Sequence, residues 1–413
     1  MIKPLRGYNK ILFFFFHKSV VSIFYLYFCQ TCIALSEQDE EIFQLNKSKP
    51  INYMKKSLIK MMMLAACSIF SLTACGGGDD NGGGSSKGDD DNNQHPTEKP
   101  TEKPTEAVTF AKGADISWVT EMEKSGMKFY NANGKQTDCF ELMKELGMNA
   151  IRLRVWVNPT DGYCNKADVV AKALRAKALG LELMIDFHYS DSWADPGKQN
   201  IPNAWKNYNL AKMKTAVADH TKEVLQALKD KGIGVQWVQI GNETTSGMLW
   251  PMGQAKGNDF ANYVSLNNAG YDAAKSIYPD ALCIVHIDRG QELTHLTWMF
   301  DGLKKNGAKW DVIGLSLYPT DSTWKNDTDN CLANMSTLAT TYGKKVMLCE
   351  IGMPWDSNNA AAVTKKMVDG CKNIKQCLGV FYWEPEAYNG WKGYSLGAFD
   401  KSGKPTAAMN AFK

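Results

Sequence analysis

Ala150-Ile151-Arg152-Leu153-Arg154-Val155-Trp156-Val157 is an apolar run of strand length. It is followed by an amphipathic helical pattern over residues 166–178, by Gly180, and by a second apolar run, Glu182-Leu183-Met184-Ile185-Asp186-Phe187-His188. A strand, a helix of the right period, a glycine where helices end and another strand make one βα unit. Reading outward, the cycle recurs. Strands are expected at 110–116, 150–157, 182–188, 235–240, 282–287, 312–317, 345–349 and 379–383, with helical stretches such as 166–178 and 211–229 between them. Gly147, Gly180, Gly232, Gly307 and Gly343 stand just before the next strand. Eight units in about 305 residues predict an α/β fold of the (β/α)8 TIM-barrel type. No GxGxxG follows the first strand and no P-loop occurs, which disfavours an open doubly wound sheet.

The 413-residue chain changes character near residue 107. Residues 107–413 are read as the barrel domain. Residues 76–106 are rich in Gly, Asp, Ser, Asn and Pro and repeat Pro-Thr-Glu-Lys twice, which buries too little apolar surface to offset the entropy of ordering; a disordered linker is expected. Upstream, Met54-Lys55-Lys56 precedes an apolar core and Leu72-Thr73-Ala74-Cys75. Residues 54–75 resemble a bacterial lipoprotein signal whose cysteine, Cys75, is lipidated. Residues 1–53 contain another apolar stretch at 11–35. Either a start codon has been chosen too early, giving a mis-assigned extension, or that stretch is a membrane span of about 20 residues.

The net charge of +3 and the absence of a basic run interleaved with aromatics argue against nucleic acid as a partner. Membrane contact is expected only through the lipid anchor. Of eleven cysteines, seven fall after residue 107, an odd number that leaves at least one free thiol. Cys283 and Cys349 read as core residues; Cys371 with Cys377, or Cys139 with Cys164, could pair. No His/Cys spacing suggests zinc.

Chemistry in such a barrel sits at the carboxyl ends of the strands. Those ends carry Asp115; Arg152 and Trp156; His188, Asp191 and Trp193; Asn242 and Glu243; His286; Tyr318; Glu350; and Trp383. Glycosidic hydrolysis needs two carboxyl groups, one to protonate the leaving oxygen and one to attack or stabilise the anomeric carbon. Glu243 follows Val238-Gln239-Ile240 and Glu350 follows Val346-Met347-Leu348-Cys349, so both should sit at the rim of the core. Nine of the twelve tryptophans lie at or after a strand end, and indole faces stack on pyranose rings. Arg152 either holds Glu350 ionised or forms a structural ion pair. His188 either faces the mouth or is a satisfied core histidine. Asn242 either holds a sugar hydroxyl or shapes a turn, and Tyr318 either donates to Glu350 or packs.

Gly113-Ala114-Asp115-Ile116-Ser117, Ile151-Arg152-Leu153-Arg154-Val155-Trp156, Asp186-Phe187-His188-Tyr189-Ser190-Asp191, Trp193-Ala194-Asp195-Pro196, Ile240-Gly241-Asn242-Glu243 and Cys349-Glu350-Ile351-Gly352 together resemble glycoside hydrolase family 53 over residues 113–399. These are endo-β-1,4-galactanases of a large clan of retaining barrels. The resemblance implies that Glu243 is the acid/base and Glu350 the nucleophile. It also implies that Arg152, His188, Asn242, Tyr318 and Trp383 support the sugar and nucleophile. Asp115, Trp156, Asp191, Trp193 and His286 are further expected substrate contacts. The alternatives are a related clan enzyme acting on mannan, xylan or glucan, and a non-catalytic glycan-binding barrel; retention of both glutamates argues against the latter. Many bacterial members hold calcium in a long loop after strand 8. The short stretch 384–400 here puts calcium in doubt, and no cofactor is expected. The tether and lipid anchor are not general to the family; they point to an enzyme exported and lipid-anchored to the outer membrane at the surface of a Gram-negative bacterium, acting on plant galactan, and a monomer is expected.

Overall fold

Alternation along single strands builds the molecule. In Ala150–Val155 (β2) the residues Ile151, Leu153 and Val155 belong to the cluster packed under the helices, whereas Ala150 belongs to a second cluster inside the barrel. Period-2 geometry then puts Arg152 and Arg154 on the same inner face as Ala150. The computed structural model describes residues 110–413. The readings made for residues 1–109, including the extension, the signal, Cys75 and the linker, lie outside the described residues.

The remaining barrel strands are Ala111–Asp115 (β1), Glu182–Phe187 (β3), Trp237–Ile240 (β4), Leu282–Ile287 (β5), Val312–Leu317 (β6), Lys345–Ile351 (β7) and Cys377–Trp383 (β8). All pair in parallel and close in the order β1-β8-β7-β6-β5-β4-β3-β2, the expected (β/α)8 barrel. Val119–Lys124 (α1) and Cys139–Glu145 (α2) follow β1. Lys166–Ala178 (α3), Leu210–Asp230 (α4), Ala261–Ile277 (α5), Leu293–Lys305 (α6), Trp324–Tyr342 (α7) and Ala360–Lys372 (α8) follow β2 to β7 in turn. After β8 there is no α-helix among the described residues; the 3-10 segment Ala407–Phe412 ends the chain. No described helix is long and apolar enough to cross a membrane.

The lower barrel is plugged by Met184, Trp237, Ile284, Met347 and Phe381, with the Trp237 and Phe381 rings 6.1 Å apart. Gly113 is required here, since a Cβ on it would lie 2.2 Å from the Phe381 ring. Above the plug the inner face turns polar, and that change of character creates the site.

Three details differ from the expectations. A short hairpin, Gly247–Met248 with Gly253–Gln254, lies between β4 and α5; two-residue strands carry no periodic signal. β7 runs on to Ile351, so Glu350 lies within the strand rather than after it. No disulfide forms among the seven described cysteines, all of which are buried thiols. Cys164 Sγ faces the Ser117 carbonyl at 3.8 Å, Cys371 Sγ the Met335 sulfur at 3.8 Å, and Cys377 Sγ the Gly379 carbonyl at 3.7 Å.

Candidate active site

The two glutamates reach the mouth by different backbone devices. β4 ends at Ile240, and Gly241 (φ 86°) and Glu243 (φ 43°) then adopt left-handed conformations. For a glutamate this is strained, and such strain persists only where surroundings fix it. The fixing partner is His286 on β5. Its Nδ1 accepts from the Glu243 N–H at 3.3 Å, and its carbonyl accepts from the Thr244 N–H at 2.8 Å. On β7 the device is a bulge. Leu315 pairs with Leu348 and Ser316 with Glu350, so Cys349 is an extra residue. A bulge of one residue re-aims the next side chain, and here Glu350 follows a cysteine that already faces the barrel interior.

Arg152 organises the floor. It pairs with Asp115 on β1 at 2.8 Å, Asp186 on β3 at 2.9 Å and Glu350 on β7 at 2.9 Å, and it donates to Asn242 at 2.8 Å. Gln239 fills the space between, accepting from Arg152 and donating to Asn242 and the Asp186 carboxylate. Tyr318 donates to Glu350 at 2.7 Å. His188 accepts at Nδ1 from Trp156 Nε1 (3.2 Å) and from the Ala194 N–H (3.1 Å), so its proton sits on Nε2, facing Asp186 at 3.0 Å.

This arrangement separates the protonation of the two carboxyls. Burial raises both; for Glu243 the charge of Glu350 raises it further, well above the ordinary range. Glu350 is pushed up by burial to about 7, while Arg152 and the Tyr318 hydroxyl pull against that rise. A shared proton therefore sits on Glu243, and Glu350 is the member that ionises. Environments that drive two carboxyls apart in this way define an acid and a nucleophile. Burial lowers His286 to about 3, so it is neutral; with Nδ1 accepting, its Nε2–H donates to Ser316 Oγ at 2.8 Å.

Above the glutamates lies an open cleft of about 410 Å³, bordered by Trp118, Trp193, Trp383 and Tyr394. Ring centroids stand 5.2 Å apart for Trp118 and Trp383, 5.5 Å for Trp118 and Trp193, and 4.8 Å for Trp383 and Tyr394. Arg154 lies beneath, 4.4 Å from the Trp193 centroid and paired with the buried Glu384.

Of the residues singled out in the sequence, Glu243, Glu350, His188, Trp193, Asn242, Tyr318 and Trp383 line this cleft. Asp115, Arg152 and His286 are fully buried beneath it and act on the site through other residues. Trp156 is buried against Trp193, with centroids 5.2 Å apart. Asp191 lies away from the cleft; its carboxylate accepts from the Asn158 and Asn203 N–H groups, tying two loops. The sequence reading did not single out Gln239 or the cleft residues Lys198, Lys392 and Tyr394. The signal for Gln239 is an amide on the inner face of β4, two residues before the mouth. Among the described residues no cluster of three His, Cys, Asp or Glu side chains forms a metal site.

A parallel barrel that carries a protonated glutamate after β4, an ionisable glutamate on β7 and an aromatic-walled cleft defines a two-carboxyl glycoside hydrolase. The chain belongs to glycosyl hydrolase family 53, whose model matches residues 111–412. It is 34% identical over 308 residues to the endo-β-1,4-galactanase of Bacillus subtilis, covering 67% of this chain and 70% of that one. It is 30% identical over 329 residues to the arabinogalactan endo-β-1,4-galactanase of Humicola insolens, covering 73% and 98%. Among solved structures it is similar to a fungal β-1,4-galactanase, with TM-score 0.69 and 28% identity over 74% of this chain and 99% of that one. The family 53 catalytic domain of Ignisphaera aggregans gives 0.67 and 29% over 75% and 97%.

Proposed function

We propose that this enzyme is a retaining endo-β-1,4-galactanase that hydrolyses β-1,4-galactan and type I arabinogalactan. The observation that carries the reading is the proton asymmetry of Glu243 and Glu350 in one open cleft, in a chain whose relatives are galactanases. In the first step Glu350 attacks the anomeric carbon. The bond from that carbon to the glycosidic oxygen breaks, and the proton of Glu243 goes to the departing oxygen. Glu243, now ionised, takes a proton from water, whose oxygen attacks the same carbon from the opposite face; the bond to Glu350 breaks and its carboxylate is restored. Arg152 and Tyr318 hold the two oxygens of Glu350, and Asn242 offers its remaining amide N–H to the sugar. Trp118, Trp193 and Trp383 supply stacking surface. A reducing-sugar assay on galactan, mannan, xylan and glucan tests the substrate: release from galactan is expected, and activity on one of the others alone sinks the assignment.

The enzyme is further read as a monomer that reaches its polymer while tethered to the outer membrane through lipid on Cys75. The motif Leu72-Thr73-Ala74-Cys75 and the glycine-rich stretch after it support this. Cys75→Ala is expected to move the protein from the membrane fraction to the soluble one; retention in the membrane rejects the anchor.

A further inference from the structure

The loop after β8 folds as two tight turns in succession. Trp391 N–H donates to the Tyr388 carbonyl at 3.1 Å, and Asn389 and Gly390 between them have φ of 55° and 69°. Tyr394 N–H then donates to the Trp391 carbonyl at 2.9 Å, and Lys392 and Gly393 have φ of 49° and 79°. Turns with two left-handed central residues favour Asn-Gly, because asparagine tolerates that backbone and glycine adopts it freely. The first turn uses that pair. The second places a lysine where its Cβ crowds the backbone, and nothing in the turn itself calls for one.

What Lys392 does have is a fixed position over the cleft. Its ammonium lies 2.6 Å from Glu121 Oε1 on α1, a carboxylate only 18% exposed, and 5.8 Å from the Trp391 ring centroid. It lines the cleft with Gly393 and Tyr394, in the same depression as Glu243 and Glu350. Glu121 is its one ion-pair partner among the described residues, and an ammonium carries three donors. The other cation lining the cleft is also matched, Lys198 by Asp195 at 3.1 Å, and Arg152 in the floor beneath is matched by Glu350. A cleft so balanced has no net pull on an anionic polymer, and donors held in it suit the hydroxyls of a neutral sugar.

We infer that Lys392 is a specificity-determining residue, its ammonium anchored by Glu121 to donate to hydroxyls of a galactosyl unit other than the one held between the two glutamates. This rests on the galactanase reading. Strained residues cluster where binding needs them, and the turn retains lysine for its contact with substrate.

The test is Lys392→Asn, which keeps a residue suited to the turn and removes the ammonium. It is assayed on β-1,4-galactan and β-1,4-galactotetraose alongside thermal melting. Expected are a Tm equal to or above that of the unaltered enzyme, a KM raised on the order of 10-fold as one charge-assisted hydrogen bond is lost, and a kcat within about 2-fold, since the inferred contact is to a unit other than the one held between the two glutamates. Lys392→Arg should retain most of the affinity. If the Asn variant melts lower, Lys392→Gly makes the same comparison with no side chain in the turn. An unchanged KM in a variant that melts as high as the parent overturns the inference. Failure of the unaltered enzyme to cut galactan is a different result and rejects the galactanase reading itself.

Discussion

Tyr318 donates to Oε2 of Glu350 at 2.7 Å while Arg152 holds Oε1 at 2.9 Å, so each oxygen of this carboxylate has its own donor. Both contacts favour the ionised form, against burial, which pushes the carboxyl up to about 7. Activity needs Glu350 ionised and is therefore lost as pH falls through its pKa. Removing the hydroxyl in Tyr318→Phe removes a stabilising contact, raises that pKa and moves the acid limb of the kcat/KM profile to higher pH. A limb that stays in place or moves down contradicts this account of the site.

The two glutamates should fail differently. Glu243→Ala is expected to lose galactan hydrolysis by a factor on the order of 10² to 10⁴, yet still to form the intermediate from an aryl galactoside with a good leaving group. Azide should restore its turnover and give the β-azide. Glu350→Ala should fail on both substrates; the opposite pattern exchanges the roles.

Stereochemistry offers an independent check. A nucleophilic Glu350 gives two displacements at one carbon, so proton NMR during early turnover should show the β-anomer first, with the α-anomer appearing only by mutarotation. Initial release of the α-anomer would mean a single displacement by water.

Glu386 is fully buried beside Glu384, and burial followed by the Glu384 charge raises its carboxyl well above the ordinary range. The folded carboxyl therefore holds its proton to higher pH than the unfolded one does. Its stabilising contribution is complete below the unfolded pKa and declines as pH rises toward the folded one. Glutamine mimics the neutral form and does not titrate. Glu386→Gln should therefore raise Tm by about a few degrees at pH 8 and hardly at pH 4; an equal change at both pH values shows that Glu386 does not titrate as described.

At the barrel floor, Gly113→Ala forces the Phe381 ring out of its place and should cost about 1–3 kcal/mol in chemical denaturation, the usual penalty of overpacking. Adding Phe381→Leu should recover part of the loss, and strict additivity of the two changes would refute the steric explanation.

The barrel was legible because strands and helices differ in period and the glycines between them mark boundaries; Gly147, Gly180, Gly232, Gly307 and Gly343 all adopt positive φ. Glu243 and Glu350 were legible from their position after apolar runs. Burial depth was not. Asp115 and His286 read as mouth residues, because a strand-end position does not reveal whether a side chain stops beneath its neighbours; for Arg152 both readings hold, since it pairs with Glu350 and also with Asp115 and Asp186. Asp191 read as a sugar contact but spends its carboxylate on two backbone N–H groups. Lys198, Lys392 and Tyr394 come from loops without periodicity, and only the folded chain brings them over the glutamates.

Cys349, the extra residue of β7, lets two successive side chains face the barrel interior, the cysteine toward the apolar plug and Glu350 toward the mouth. Loss of that single codon would restore simple alternation, with Leu348 outward and Glu350 still inward opposite Ser316. A relative one residue shorter here would thus keep its glutamate in place and lose only the thiol beneath it. Comparisons of such relatives should therefore allow one residue fewer between Val346 and Gly352 before a shifted glutamate is read as a lost one.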